Sequence, residues 1–145
     1  MSAVITEERL KIGDVATRSG LSVKTVRYYE EIGLLAPTVE RSDSGYRLFD
    51  PSVVNRLAFV KRAQSLGLSL SEIREILNIS DRGELPCEEV KQHLAMKVEE
   101  INHQISSLEI LKNELQQLLN HWQDHPSHYH EDTTICPNIQ GECEF

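Results

Sequence analysis

The sequence predicts a mainly α-helical chain: a helix–turn–helix with a small β-hairpin, then one long helix and a C-terminal loop. Three observations predict it. Two short apolar stripes at helical spacing are separated by a glycine and a serine between Ile12 and Ile32. A polar segment with a Ser-Gly turn, RSDSGYRLF, follows at 41–49. A long apolar series then runs from Val90 to Leu118.

Each element has a local reason. Ile12, Val15 and Ala16 make the first stripe, and Gly20 permits a sharp turn after it. Ser22 is a favourable N-cap for a second helix over about Val23–Ile32. Val23, Val26 and Tyr29 fall near one face of it, with Tyr29 the strongest core candidate, and Gly33 stops it. Residues 41–50 read as the hairpin. Asp50-Pro51 starts a third helix, Asp50 as N-cap and Pro51 at the first helical position, which runs to about Leu66 before Gly67. Ser69 and Glu72 form a capping box for a fourth helix over about Leu70–Asn78. Residues 80–86 form a loop, and Pro86 suits the first turn of a fifth helix that extends to about His121 or Trp122.

The fifth helix carries Val90, Leu94, Val98, Ile101, Ile105, Leu108, Leu111, Leu115 and Leu118, eight steps over 28 residues. That period of 3.5 belongs to a coiled-coil seam rather than to a straight surface helix. A helix of about 35 residues is about 50 Å long, too long to bury its seam on one small domain. A second copy of the chain is the natural partner. The tail from Gln123 contains Pro126, Pro137 and Gly141 and shows no periodicity. The chain therefore divides into 1–80, 81–122 and 123–145.

Composition narrows the function. With 39% apolar and 26% charged residues the chain is globular, and no apolar run approaches the ~20 residues of a membrane span. The opening MSAVITEERLKIGD has no basic stretch followed by an apolar one, so a cytoplasmic protein without a secretory signal is expected. The net charge of −8 is unevenly spread: residues 1–80 hold 11 basic and 10 acidic side chains, and residues 81–145 hold 4 and 13. Affinity for nucleic acid depends on local phosphate contacts, so the near-neutral first part is compatible with it. No hydrolase, kinase or dinucleotide fingerprint is present.

The segments TVRYYEEIGLL (25–35) and RSDSGYRLF (41–49), in this order and spacing, resemble the start of the MerR family of transcriptional regulators. The likeness extends over about residues 10–120. It implies a winged helix-turn-helix, two further helices and a long dimerisation helix that forms an antiparallel coiled coil. The physics agrees. A second helix presenting Lys24, Thr25, Arg27 and Tyr28 can enter a major groove, while Arg41, Tyr46 and Arg47 on the hairpin can grip flanking phosphates. Taken singly these are ordinary solvated side chains; as a set they match family positions that contact DNA. Phe49 stands where the family often has Tyr. The resemblance further implies a homodimer on double-stranded promoter DNA, no enzymatic activity, and an indirect action on RNA polymerase: effector binding distorts the promoter and brings its elements into register.

Three cysteines, Cys87, Cys136 and Cys143, argue against a disulfide framework. Cys87 lies in the first turn of the long helix, and a helix N-terminus favours the thiolate that soft metals ligate. By resemblance to the divalent-metal branch of the family, a cysteine here comes from one protomer and the other ligands from the loop of its partner. Cys136-Pro137 resembles one loop ligand. The other expected cysteine is replaced by Trp122, which cannot ligate, but four histidines lie within residues 121–130. His125, followed by Pro126, is the preferred replacement, with His121 and Cys143 as further candidates; His93 and His103 read as surface or seam residues. Thiolate with imidazole suits Zn²⁺ first, and also Cd²⁺, Pb²⁺, Hg²⁺ or Co²⁺. Competing readings are a thiol redox regulator pairing Cys136 with Cys143, an effector-independent regulator, and, from another class, a metal-binding enzyme.

Overall fold

The computed structural model describes residues 8–141. It is built mainly of helices, in the order α1 (Ile12–Ser19), α2 (Val23–Glu31), β1 (Val39–Arg41), β2 (Arg47–Phe49), α3 (Val53–Ser65), α4 (Leu70–Asp81), α5 (Cys87–Asn120) and α6 (Pro137–Gln140). A 3-10 turn, Ala36–Thr38, leads into β1. The chain falls into two compact units, one ending at Lys97 and the other beginning at Val98. Among the described residues, no helix is long and apolar enough to cross a membrane.

The first unit holds the core. Val15, Val26, Leu34, Leu35, Phe49, Val53, Leu57, Val60, Ile73 and Ile76 are its largest sealed side chains. The turn between α1 and α2 works as the sequence predicts. Gly20 caps α1 in the left-handed region at φ 71°, where a β-carbon would be strained. The Ser22 hydroxyl accepts the Thr25 amide at 3.0 Å to start α2. Val26 and Tyr29 are buried, and the Tyr29 hydroxyl donates to Gln64 Oε1 of α3 at 2.7 Å. Val23, expected on the same face, is instead 36% exposed, because the first turn of the helix projects beyond the core.

The hairpin begins at Val39, two residues before the polar segment that signals it, and pairs Val39 with Phe49, Glu40 with Leu48 and Arg41 with Arg47. Leu10 adds a bridge to its free edge, exchanging two backbone hydrogen bonds of 2.8 Å with Phe49. The third helix starts at Val53 rather than Pro51. Asp50 still caps the approach: it accepts the Ser52 amide at 2.9 Å, and that bond holds its carboxyl below the usual carboxylate range. The fourth helix continues to Asp81, beyond the expected end at Asn78. Arg56 explains the extension. Its Nη1 and Nη2 reach the Asp81 carboxylate at 2.7 and 3.1 Å while its Nε donates to the Leu34 carbonyl at 2.8 Å.

The Ser69–Glu72 capping box is complete in both directions. The hydrogen bond from the Ser69 amide, helped by Lys97, draws the Glu72 carboxyl down from 4.5 to about 2. A group depressed on folding stabilises the fold above its unfolded value and loses that contribution as pH falls through the folded one. In urea unfolding, Glu72→Gln should therefore be less stable than the parent chain at neutral pH, with the gap closing as pH falls from 4.5 towards about 2. A gap independent of pH contradicts this assignment.

Candidate nucleic-acid interface and metal ligands

Three cations of the first unit meet at one place. Lys11 precedes α1, Arg27 lies on α2, and Tyr46 and Arg47 lie on the hairpin; together with Ile12 they line a cavity of about 260 Å³. The Lys11 ammonium sits 5.4 Å from the Tyr46 ring centroid, within cation–π range. Lys11, Arg27 and the Tyr46 phenol can there meet an anionic oxygen group such as a phosphate, while Arg47 is already paired with Glu30.

The predicted residues take different parts. Lys24 and Arg27 are exposed on α2 and make no hydrogen bond or ion pair among the described residues. Tyr28 is 51% exposed, its ring tilted against Tyr29. Thr25 is half-buried and its hydroxyl lies 2.8 Å from Ser22 Oγ, so it serves the helix cap. Arg41 donates to the Gly45 carbonyl at 2.9 Å and steadies the hairpin turn, where Gly45 has φ 87°. Arg47 meets Glu30 Oε2 at 2.7 Å, with both side chains largely buried. This ion pair ties the hairpin to α2 and sets their relative position. Phe49 is wholly buried. Lys11 was not singled out by the sequence: it lies outside any stripe or motif, and only the fold brings it to Tyr46.

Cys87 opens α5 and is exposed with its thiol free. It borders an apolar cleft of about 780 Å³ whose lining includes Phe59, Ile76, Leu77, Val90 and Leu94.

In the second unit, Val98, Ile101, Ile105, Leu108, Leu111, Leu115 and Leu118 are each between 36% and 64% exposed, so the apolar seam is presented outward. The segment after α5 folds back through amide pairs: the Gln123 amide donates to Asn138 Oδ1 and Asn138 Nδ2 donates to the Gln123 carbonyl, both at 2.9 Å. Gln140 Oε1 accepts the Ile135 and Cys136 amides at 2.6 and 2.8 Å. These contacts fix Cys136 at the start of α6, a short helix that the sequence did not signal. Cys136 is free and half-buried. His121 borders a cavity of about 390 Å³ with Asn138 and Gly141, and His125, His128 and His130 are exposed. Cys143 lies outside the described residues. Among the described residues, the one group of three His, Cys, Asp or Glu donors within mutual ligating reach is Glu75, Glu89 and His93; the loop histidines and Cys136 are not gathered into such a set.

Comparison with known proteins gives a consistent picture. Residues 10–79 match the family described as MerR HTH family regulatory protein, and residues 54–118 match one described as MerR, DNA binding. The chain is 37% identical over 110 residues to a mercuric resistance operon regulatory protein of Bacillus cereus, covering 76% of this chain and 83% of that one. Among solved structures it resembles the transcription regulator PbrR691 of Ralstonia metallidurans CH34 in complex with lead(II), with a TM-score of 0.69, 34% identity, and coverage of 81% of this chain and 91% of that one. It also resembles HiNmlR, a regulator lacking the sensor domain and bound to promoter DNA, with a TM-score of 0.51, 25% identity, and coverage of 78% and 89%.

The Glu30–Arg47 pair yields a prediction independent of any ligand. Glu30→Ala should release the hairpin locally, so that amides of residues 40–48 exchange hydrogen faster while global stability falls by only about 1 kcal/mol. Unchanged exchange in the hairpin contradicts the positioning role of this pair.

Proposed function

The chain belongs to the MerR family of helix-turn-helix regulatory proteins, and on that premise we propose that it is a cytoplasmic, metal-responsive transcriptional regulator that binds promoter DNA as a homodimer. The observation that carries the DNA reading is the cavity shared by Lys11, Arg27, Tyr46 and Arg47. In this reading α2 enters the major groove with Lys24, Arg27 and Tyr28 towards the bases, and Thr25 at its capped start. Lys11 and Tyr46 at the cavity take a backbone phosphate, and Arg41 lies at the outer edge of the contact. That HiNmlR, a regulator of similar fold, is bound to promoter DNA supports DNA as the partner. The chain's relatives are regulators rather than enzymes.

The exposed seam of α5 supports pairing with a second copy through a coiled coil. Pairing brings Cys87 of one chain to the loop of the other. Cys87 and Cys136 are the proposed thiolate ligands, with His125 first among the imidazoles and His121 and Cys143 as further donors. Two observations support the fit: both described thiols are free, and the loop around Cys136 is held by Gln140 rather than by a ligand set of its own. The mercuric regulator and the lead complex support a thiophilic effector among relatives; the mixed thiolate and imidazole donors here favour Zn²⁺, with Cd²⁺, Pb²⁺, Hg²⁺ and Co²⁺ as alternatives. A bound ion would supply a bridge between chains, favouring one arrangement of the dimer and so one shape of the promoter. RNA polymerase responds to that shape.

Two outcomes test this. Arg27→Ala should abolish sequence-specific binding, whereas Lys11→Ala should weaken binding to all duplexes alike and reduce the salt slope by about 1; equal loss of specificity in both variants overturns the division of roles. Cys87→Ser should leave metal-free DNA binding intact and remove the metal response in a promoter assay; a retained response overturns the shared thiolate site.

A further inference from the structure

His93 carries more than a surface role. On α5, Glu89, His93 and Lys97 recur at four-residue intervals on one face, and this face packs on Glu72 and Glu75 of α4. The His93 side chain is only 12% exposed. Its Nε2 lies 3.2 Å from Glu89 Oε1 and 3.5 Å from Glu75 Oε2, and its Nδ1 lies 3.0 Å from Glu72 Oε2. Both ring nitrogens are sealed from solvent, yet neither makes an aligned hydrogen bond. Glu72 is otherwise compensated, by Lys97 Nζ at 3.2 Å and the Ser69 amide at 2.9 Å. Glu75 and Glu89 meet no other cation among the described residues. Two carboxylates therefore converge on one imidazole nitrogen.

We propose that Glu75, Glu89 and His93 form a divalent-cation site distinct from the cysteine ligands, taking a borderline metal such as Zn²⁺ or Co²⁺. Neither carboxylate contact at Nε2 is an aligned hydrogen bond. A central ion satisfies all three donors at once. Metal–ligand bonds of about 2.0–2.2 Å in a tetrahedral site place donors about 3.3–3.6 Å apart. The observed 3.5 Å separation falls within this spacing and the 3.2 Å one just below it, and all three donor atoms lie within 4.8 Å of one another. Glu72 Oε2, 3.0 Å from Nδ1, stands where an outer carboxylate of a metal-bound imidazole would lie. Glu75 is 61% exposed, which leaves an entry path, and three protein donors leave a fourth position for water. The nitrogen and oxygen donors select against the soft ions that thiolates hold. An ion here pins the first turns of α5 to α4. The proposal stands independently of the thiolate site.

The test compares the parent full-length chain with His93→Gln and Glu89→Gln. Zn²⁺ stoichiometry is measured by equilibrium dialysis, imidazole ¹⁵N resonances by NMR, and thiolate-to-metal absorption with Co²⁺. The site requires both variants to bind one Zn²⁺ fewer per chain, or to bind it at least tenfold more weakly, with the thiolate–Co²⁺ absorption unchanged. The His93 resonances of the parent chain must also move on adding stoichiometric Zn²⁺. Unchanged stoichiometry and affinity in Glu89→Gln, or His93 resonances that respond to pH and not to Zn²⁺, overturns the site and leaves a proton-held ion cluster.

Discussion

A hairpin of three residue pairs cannot hold its own shape in water, and what fixes this one is the burial of Phe49. Its ring has no exposed surface, and its backbone closes the bridge to Leu10 at both ends. Burial of a side chain this size removes enough apolar area from water to stabilise the arrangement by roughly 2–3 kcal/mol. With β2 anchored, Arg47 is delivered to Glu30, and the hairpin acquires a set position against α2. Tyr29 does the same for the other side of α2 through Gln64. The cationic cavity at Lys11, Arg27, Tyr46 and Arg47 is a consequence of these anchors. A solvated hairpin with the same charges would present no defined receptor.

The two units meet opposite demands. The first is closed around a continuous core. The second presents its apolar residues outward along α5, a surface suited to association with another chain. This division accounts for the uneven charge of the sequence, because the acidic C-terminal part contacts no phosphate in the proposed reading. The proposed donor sets also differ in chemistry: thiols at Cys87 and Cys136, and nitrogen with oxygen at His93, Glu75 and Glu89. Soft and borderline ions are sorted by such a difference.

Much of the fold was legible because its signals are local. Gly20, Ser22, and the Ser69–Glu72 box act within one turn of chain, and each stands where the sequence implies. Boundaries moved where tertiary contacts decide them: Asp81 stays helical because Arg56 reaches it from α3, and Val23 is exposed because the core ends below it. The resemblance to the MerR family rested on a contiguous run of residues and was borne out by the comparisons. The components of the candidate sites were less legible. Lys11, the Glu30–Arg47 pair and the His93 cluster each join residues from separate elements, and no spacing rule in one sequence reports such meetings. His93 read as a surface or seam residue because its own helix shows only Glu89 and Lys97; the carboxylates that surround it come from α4. Fixing of the loop by Asn138 and Gln140 was equally invisible, since both are unremarkable amides in sequence.

Both the DNA reading and the shared thiolate site require that the exposed seam of α5 join two chains. Sedimentation equilibrium at micromolar concentration, on the parent chain and on Ile105→Lys, tests it most directly. The parent chain should sediment as a dimer, binding one duplex per two chains, and Ile105→Lys as a folded monomer. A parent chain that sediments as a monomer, alone and on DNA, contradicts it.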